Sequence, residues 1–153
     1  MTETTCEYIA QGKEITRTYK VDRSKVHALR GASFWAKPGE FIALMGRSGS
    51  GKTTLLNVIG GLDHPSTGCI RLFGQDVSHL TDAEATALRR HSIGFVFQSF
   101  ALMPTMSAFE NVELPMRMLK VGRRERIARV DECLDVVKLT RWAKHRPQEL
   151  SGG

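Results

Sequence analysis

Long apolar runs are absent: nothing in the chain approaches the ~18 residues needed to cross a bilayer. The polar start Met1-Thr2-Glu3-Thr4-Thr5 has no resemblance to a signal peptide, so a soluble chain is expected. Cysteine is scarce too. The three residues Cys6, Cys69 and Cys133 are odd in number and too far apart for a C-x-x-C metal pair. That spacing suggests no disulfide framework and points to a reducing interior. Internal repeats and low-complexity tracts are also missing.

What is present is a chain of 153 residues with 41% apolar content, enough to bury a core as one domain or as an incomplete one. The net charge of +6 suits nucleic acid, membrane headgroups or ATP equally, and composition does not choose among them. The densest basic stretch is Arg123-Arg124-Glu125-Arg126 with Arg129. No aromatic residues interleave there to stack bases, so a solvated helix face is expected and nucleic acid is not.

The segment Gly46-Arg47-Ser48-Gly49-Ser50-Gly51-Lys52-Thr53-Thr54 satisfies every position of G-x-x-x-x-G-K-[ST]. Its three glycines can turn successive N–H groups inward around a phosphate. Lys52 supplies a point charge for the outer phosphates, the opening of the following helix adds unpaired amides, and the Thr53 hydroxyl suits Mg²⁺. The flanks agree: Phe41-Ile42-Ala43-Leu44-Met45 reads as a buried strand, and Thr53 to Ile59 as a helix ended by Gly60-Gly61.

Elsewhere, strands around Glu14 to Thr18 and Val26 to Ala32 read as a hairpin across a charged turn at Lys20 to Lys25. Cys69-Ile70-Arg71-Leu72-Phe73 follows a turn at Pro65 to Gly68. Thr81-Asp82-Ala83-Glu84 is a capping box that opens a helix running to about Arg90. Ile93-Gly94-Phe95-Val96-Phe97 reads as a second buried strand ending at Gln98. Pro104 and Pro115 punctuate an irregular stretch, and from Arg123 the residues Ile127, Val130, Leu134 and Val137 share one helical face.

Two further segments narrow the class. Leu150-Ser151-Gly152-Gly153, approached through Pro147-Gln148-Glu149, resembles the LSGG signature of ABC ATPases, and Gly94 to Gln98 resembles their Q-loop strand. Gly60-Gly61-Leu62-Asp63-His64-Pro65 and Glu110-Asn111-Val112-Glu113-Leu114-Pro115 are similar to the macrolide-export and lipoprotein-release branch. The resemblance runs from about residue 7 to the end, with one small departure, Arg47, where many relatives carry proline.

This resemblance implies an α/β P-loop core with an N-terminal antiparallel β segment over residues 7–98. The start of a helical subdomain would occupy 99–153. It implies that Tyr19 matches the aromatic that stacks on adenine, a task its flat ring suits. Gln98 would contact Mg²⁺ or the attacking water, and Leu150, Ser151, Gly152 and Gly153 would meet the ATP held by the opposite subunit of a homodimer. Phe100, Leu102 and Met103 would face a transmembrane permease, a local hydrophobic cluster being the plainer alternative. The implied cofactors are ATP and Mg²⁺, and the implied location is peripheral, on the cytoplasmic face of the inner membrane.

The family places its Walker B strand and catalytic glutamate downstream of the signature, beyond Gly153. Neither Asp131-Glu132, on a helix-periodic stretch, nor Asp63, in a turn before Pro65, reads as a substitute. The 153-residue chain is therefore expected to fold poorly and to hydrolyse ATP negligibly by itself. Two other readings stand beside this one: a non-transport ABC ATPase acting on DNA or ribosomes, and a non-hydrolytic nucleotide-binding remnant.

Overall fold

β-Branched and aromatic residues such as Ile15, Thr16, Thr18 and Tyr19, with a charged tip at Asp22, fold the N-terminal part into a long antiparallel hairpin. Its strands are β1 (Ala10–Val21) and β2 (Ser24–Ala36). The structure is a computed structural model describing residues 7–22, 24–98 and 101–150. Strand β3 (Thr67–Leu72) pairs with the other side of β1, and the short β4 (Gln75–Asp76) pairs with β3. The order is β2-β1-β3-β4, all antiparallel.

Helix α1 (Lys52–Ile59) covers this sheet. Its Val58 joins Ile15, Leu29, Ile70 and Leu72 in the buried core, with Leu55 and Ile59 packed alongside. Each such side chain contributes roughly 1.5–3 kcal/mol by leaving water. Helix α2 (Asp82–His91) starts at the expected capping box: the Thr81 amide donates to Glu84 Oε2 at 2.8 Å, and the Glu84 amide donates to the Thr81 hydroxyl at 3.4 Å. Arg89, Arg90 and His91 in its last turn suit the negative end of the helix dipole.

Two expected strands do not form. Phe41 to Met45 and Ile93 to Phe97 belong to none of the four strands of the sheet, and Phe41 is 94% and Met45 91% exposed. A parallel strand buried on both faces takes its hydrogen bonds from neighbours on each side. The four strands of the described sheet pair with one another and offer these runs no ladder. Apolar composition alone therefore does not make them strands. Phe95 nevertheless packs its ring so closely on Gly60 that a Cβ there would sit 2.1 Å from it.

The chain divides into two units, the first running through Phe95 and the second from Val96. Among its described residues the second contains helices α3 (Ala108–Met118) and α4 (Arg123–Val136) and short 3-10 turns at Thr140–Trp142 and Pro147–Glu149. Helix α3 overturns the expected irregular stretch. Ser107 and Glu110 form a second capping box, and Pro115 is accommodated inside the helix, where its ring removes one intrahelical donor without ending the element.

The apolar face of α4 is narrower than its sequence suggests. Val130 and Leu134 are buried, while Val137 lies past the helix end and is 58% exposed. Asp131-Glu132 is helical, as expected, and Glu132 pairs with Arg129 at 2.8 Å on the surface. Arg126 departs from the solvated face predicted for its stretch. It donates to the buried Glu113 of α3 at 2.8 Å and to the Val121 carbonyl at 2.6 Å, with its side chain only 19% exposed. Glu113→Gln leaves that guanidinium without its counter-charge and is expected to cost about 1–3 kcal/mol, read as a lowered unfolding midpoint. An unchanged midpoint would show the pair to be dispensable.

Candidate functional site

The glycine-rich loop ends where α1 begins, and the junction leaves the helix start open; α4 also starts at a glycine without a capping side chain, but it carries Glu125 in its first turn. Helices α2 and α3 close their first turns with a hydroxyl and a carboxylate. Helix α1 has glycine at its N-cap, no capping side chain and no acidic residue in its first turn. The amides at its start thus face the loop together with the positive end of the dipole, the arrangement that attracts anions.

Gly51 is required at this junction on two counts. Its φ of +90° is left-handed, and a Cβ added there would lie 2.5 Å from the Ala28 carbonyl oxygen and 3.0 Å from Leu29 Cδ2. The loop is pressed against the backbone of β2. Gly49 differs: its φ of +78° needs glycine for conformation alone, since nothing lies within 4 Å.

Lys52 is held across the loop by the loop's own acceptors. Its Nζ donates to the carbonyls of Gly46 and Arg47, both at 2.8 Å, and to the Ser50 hydroxyl at 3.4 Å. The Ser50 amide closes the turn onto the Arg47 carbonyl at 3.2 Å. An anion seated against the α1 amides would therefore meet an ammonium already drawn into the loop. Arg47 and Ser48 are exposed at its rim, Thr53 is exposed on the first turn of α1, and Thr54 is half-buried beside it.

The donor set suits phosphate: amides, one ammonium group and glycines where backbone must approach closely. No group of three or more His, Cys, Asp or Glu residues able to hold a metal exists among the described residues. A divalent cation at Thr53 would need oxygens from a hydroxyl, an amide or the phosphates themselves.

Tyr19 stands near the tip of the hairpin, opposite Val26. Its hydroxyl donates to Asp63 Oδ2 at 2.6 Å, and the Arg17 guanidinium lies over its ring, 4.6 Å from the centroid. Arg17 also grips Asp63, with Nε at 2.9 Å from Oδ2 and Nη2 at 2.6 Å from Oδ1. The Asp63 carboxyl is pushed up by burial, but hydrogen bonds from Tyr19 and the His64 amide and the Arg17 charge outweigh this and hold it below the usual range. From residue order Asp63 has a place in the Gly60–Pro65 segment and no reading as a metal ligand. No local pattern links it to Tyr19, 44 positions away.

Gln98 is exposed and belongs to the second unit. Leu150 follows the 3-10 turn at Pro147–Glu149, while Ser151, Gly152, Gly153 and Phe100 lie outside the described residues. Leu102 and Met103 are 45% and 47% exposed.

A sheet-backed helix whose open N-terminus meets a glycine loop and a lysine defines the α/β class of P-loop nucleotide-binding proteins. The sequence profile of the ABC transporter family matches residues 29–153, and the chain belongs to that family. It is 45% identical to the ABC transporter ATP-binding protein MJ0796 of Methanocaldococcus jannaschii, over 92% of this chain and 62% of that protein. It is 43% identical to the lipoprotein-releasing system ATP-binding protein LolD of Geobacter metallireducens, with the same two coverages. It is 46% identical to the macrolide export ATP-binding/permease protein MacB of Marinobacter nauticus, over 92% of this chain and 22% of that one.

Among solved structures, a dimeric post-hydrolysis state of the MJ0796 cassette bound to ADP and Pi superposes with a TM-score of 0.84 at 43% identity. The match covers 94% of this chain and 63% of that one. The chain thus spans about three fifths of the length of the ATP-binding proteins it matches.

Proposed function

We propose that this chain is the N-terminal part of an ATP-binding subunit that couples ATP binding and hydrolysis to export through a membrane permease. The observation that carries the reading is the uncapped start of α1, joined through left-handed Gly51 to a loop that already holds the Lys52 ammonium. In this assignment Gly46 to Thr54 bind the phosphates of ATP, and Tyr19 offers its ring to adenine. Thr53 would hold Mg²⁺, whose charge would offset that of the phosphates, and Gln98 is assigned to the metal or the attacking water. Leu150 to Gly153 contact the nucleotide of a second copy, so that turnover depends on dimerisation.

Export is supported by a relative whose name states it, the macrolide export ATP-binding/permease protein. No helix among the described residues is long and apolar enough to cross a membrane. A separate or fused permease would supply the channel, with this part peripheral on its cytoplasmic side.

The test is purification of the tagged complete subunit from membranes. A permease should accompany it, and the complex should hydrolyse ATP in vesicles. Recovery with nucleic acid and no membrane protein would favour the DNA- or ribosome-associated class instead.

A further inference from the structure

Asp63 leaves the C-terminal end of α1 through a tight connection, its amide and that of Leu62 both donating to the Asn57 carbonyl, at 3.2 and 2.8 Å. Its carboxylate, with the side chain 19% exposed, is then shared between the Tyr19 hydroxyl and the Arg17 guanidinium. Arg17 lies on one face of the Tyr19 ring. A flat ligand can therefore stack only on the other. Tyr19 pairs with Val26, two residues along β2 from Ala28, whose carbonyl touches Gly51. At roughly 7 Å along the strand and about 5 Å across to its neighbour, the ring lies within reach of a nucleotide whose phosphates meet α1.

We propose that Asp63 is a positioning residue for nucleotide binding: with Arg17 it fixes the Tyr19 ring so that a single face is presented to the base. The proposal rests on the reading of Tyr19 as the base-stacking residue. Two torsions of a half-buried tyrosine are immobilised before the ligand arrives, so the ordering cost is met by folding and not by binding. The same helix that opens on the phosphates at its N-terminus thereby sets the base platform from its C-terminal end.

The experiment measures affinity of the complete subunit for ATP and for inorganic tripolyphosphate by titration calorimetry. Asp63→Asn and Tyr19→Phe are each expected to weaken ATP about 3- to 10-fold and to leave tripolyphosphate unchanged. The double variant should lose no more than either single one, because both break the same contact. A merely structural role for Asp63 would weaken both ligands together, and that result, or unchanged ATP affinity, overturns the proposal. If Asp63→Asn does not fold, Tyr19→Phe carries the test, since it removes only the hydroxyl. Tyr19→Ala separates the two levels. If it weakens ATP but not tripolyphosphate while Asp63→Asn is not selective for ATP, the positioning role fails alone; if Tyr19→Ala leaves ATP unchanged, the base-stacking reading fails and the proposal with it.

Discussion

Lys52→Ala in the complete subunit is expected to lower ATP turnover at least about 100-fold, the scale of removing one preorganised charge or donor from a reacting phosphate or oxyanion. Stability should change little, because the bonds Lys52 makes to Gly46, Arg47 and Ser50 lie at an exposed loop. Steady-state phosphate release alongside thermal unfolding separates the two quantities. Wild-type turnover in a well-folded variant would remove the loop from the mechanism. A drop in both together would show that the ammonium serves mainly to close the turn.

Gly51→Ala carries the largest expected effect on folding. The left-handed backbone costs an L-residue about 1–2 kcal/mol, and the new methyl would lie 2.5 Å from the Ala28 carbonyl, a backbone atom that cannot swing aside. Together these amount to about 3 kcal/mol or more, or a fall of roughly 6–12 °C in unfolding temperature for a domain of this size. Gly49→Ala is the control. Its φ of +78° is similarly left-handed, but the space around it is open, so only the backbone cost of about 1–2 kcal/mol applies. Equal losses at the two positions would show that contact with β2 contributes nothing.

Some of this molecule was legible from residue order. The hairpin, the capping box at Thr81 and Glu84, helix α1 and the glycine loop before it each depend on residues within a few positions of one another. Ser107 and Glu110 carried the same local signal, and the prolines on either side masked it. Phe41 to Met45 and Ile93 to Phe97 failed for a different reason. Their strand character requires neighbours to complete a ladder, and a five-residue window contains no information about whether those neighbours are present.

Residue order by itself therefore determined the family and the glycine loop that opens onto α1, because a turn of glycines leading into a helix is built from adjacent backbone. Tertiary structure alone decided that Gly51 is wedged against β2, that Arg126 belongs to Glu113 and that Asp63 binds Tyr19 and Arg17. These are pairings between side chains or backbone 13 to 46 positions apart. Charge and shape are written at each position, but which partner satisfies them is settled only when folding brings the surfaces together and removes the competing water.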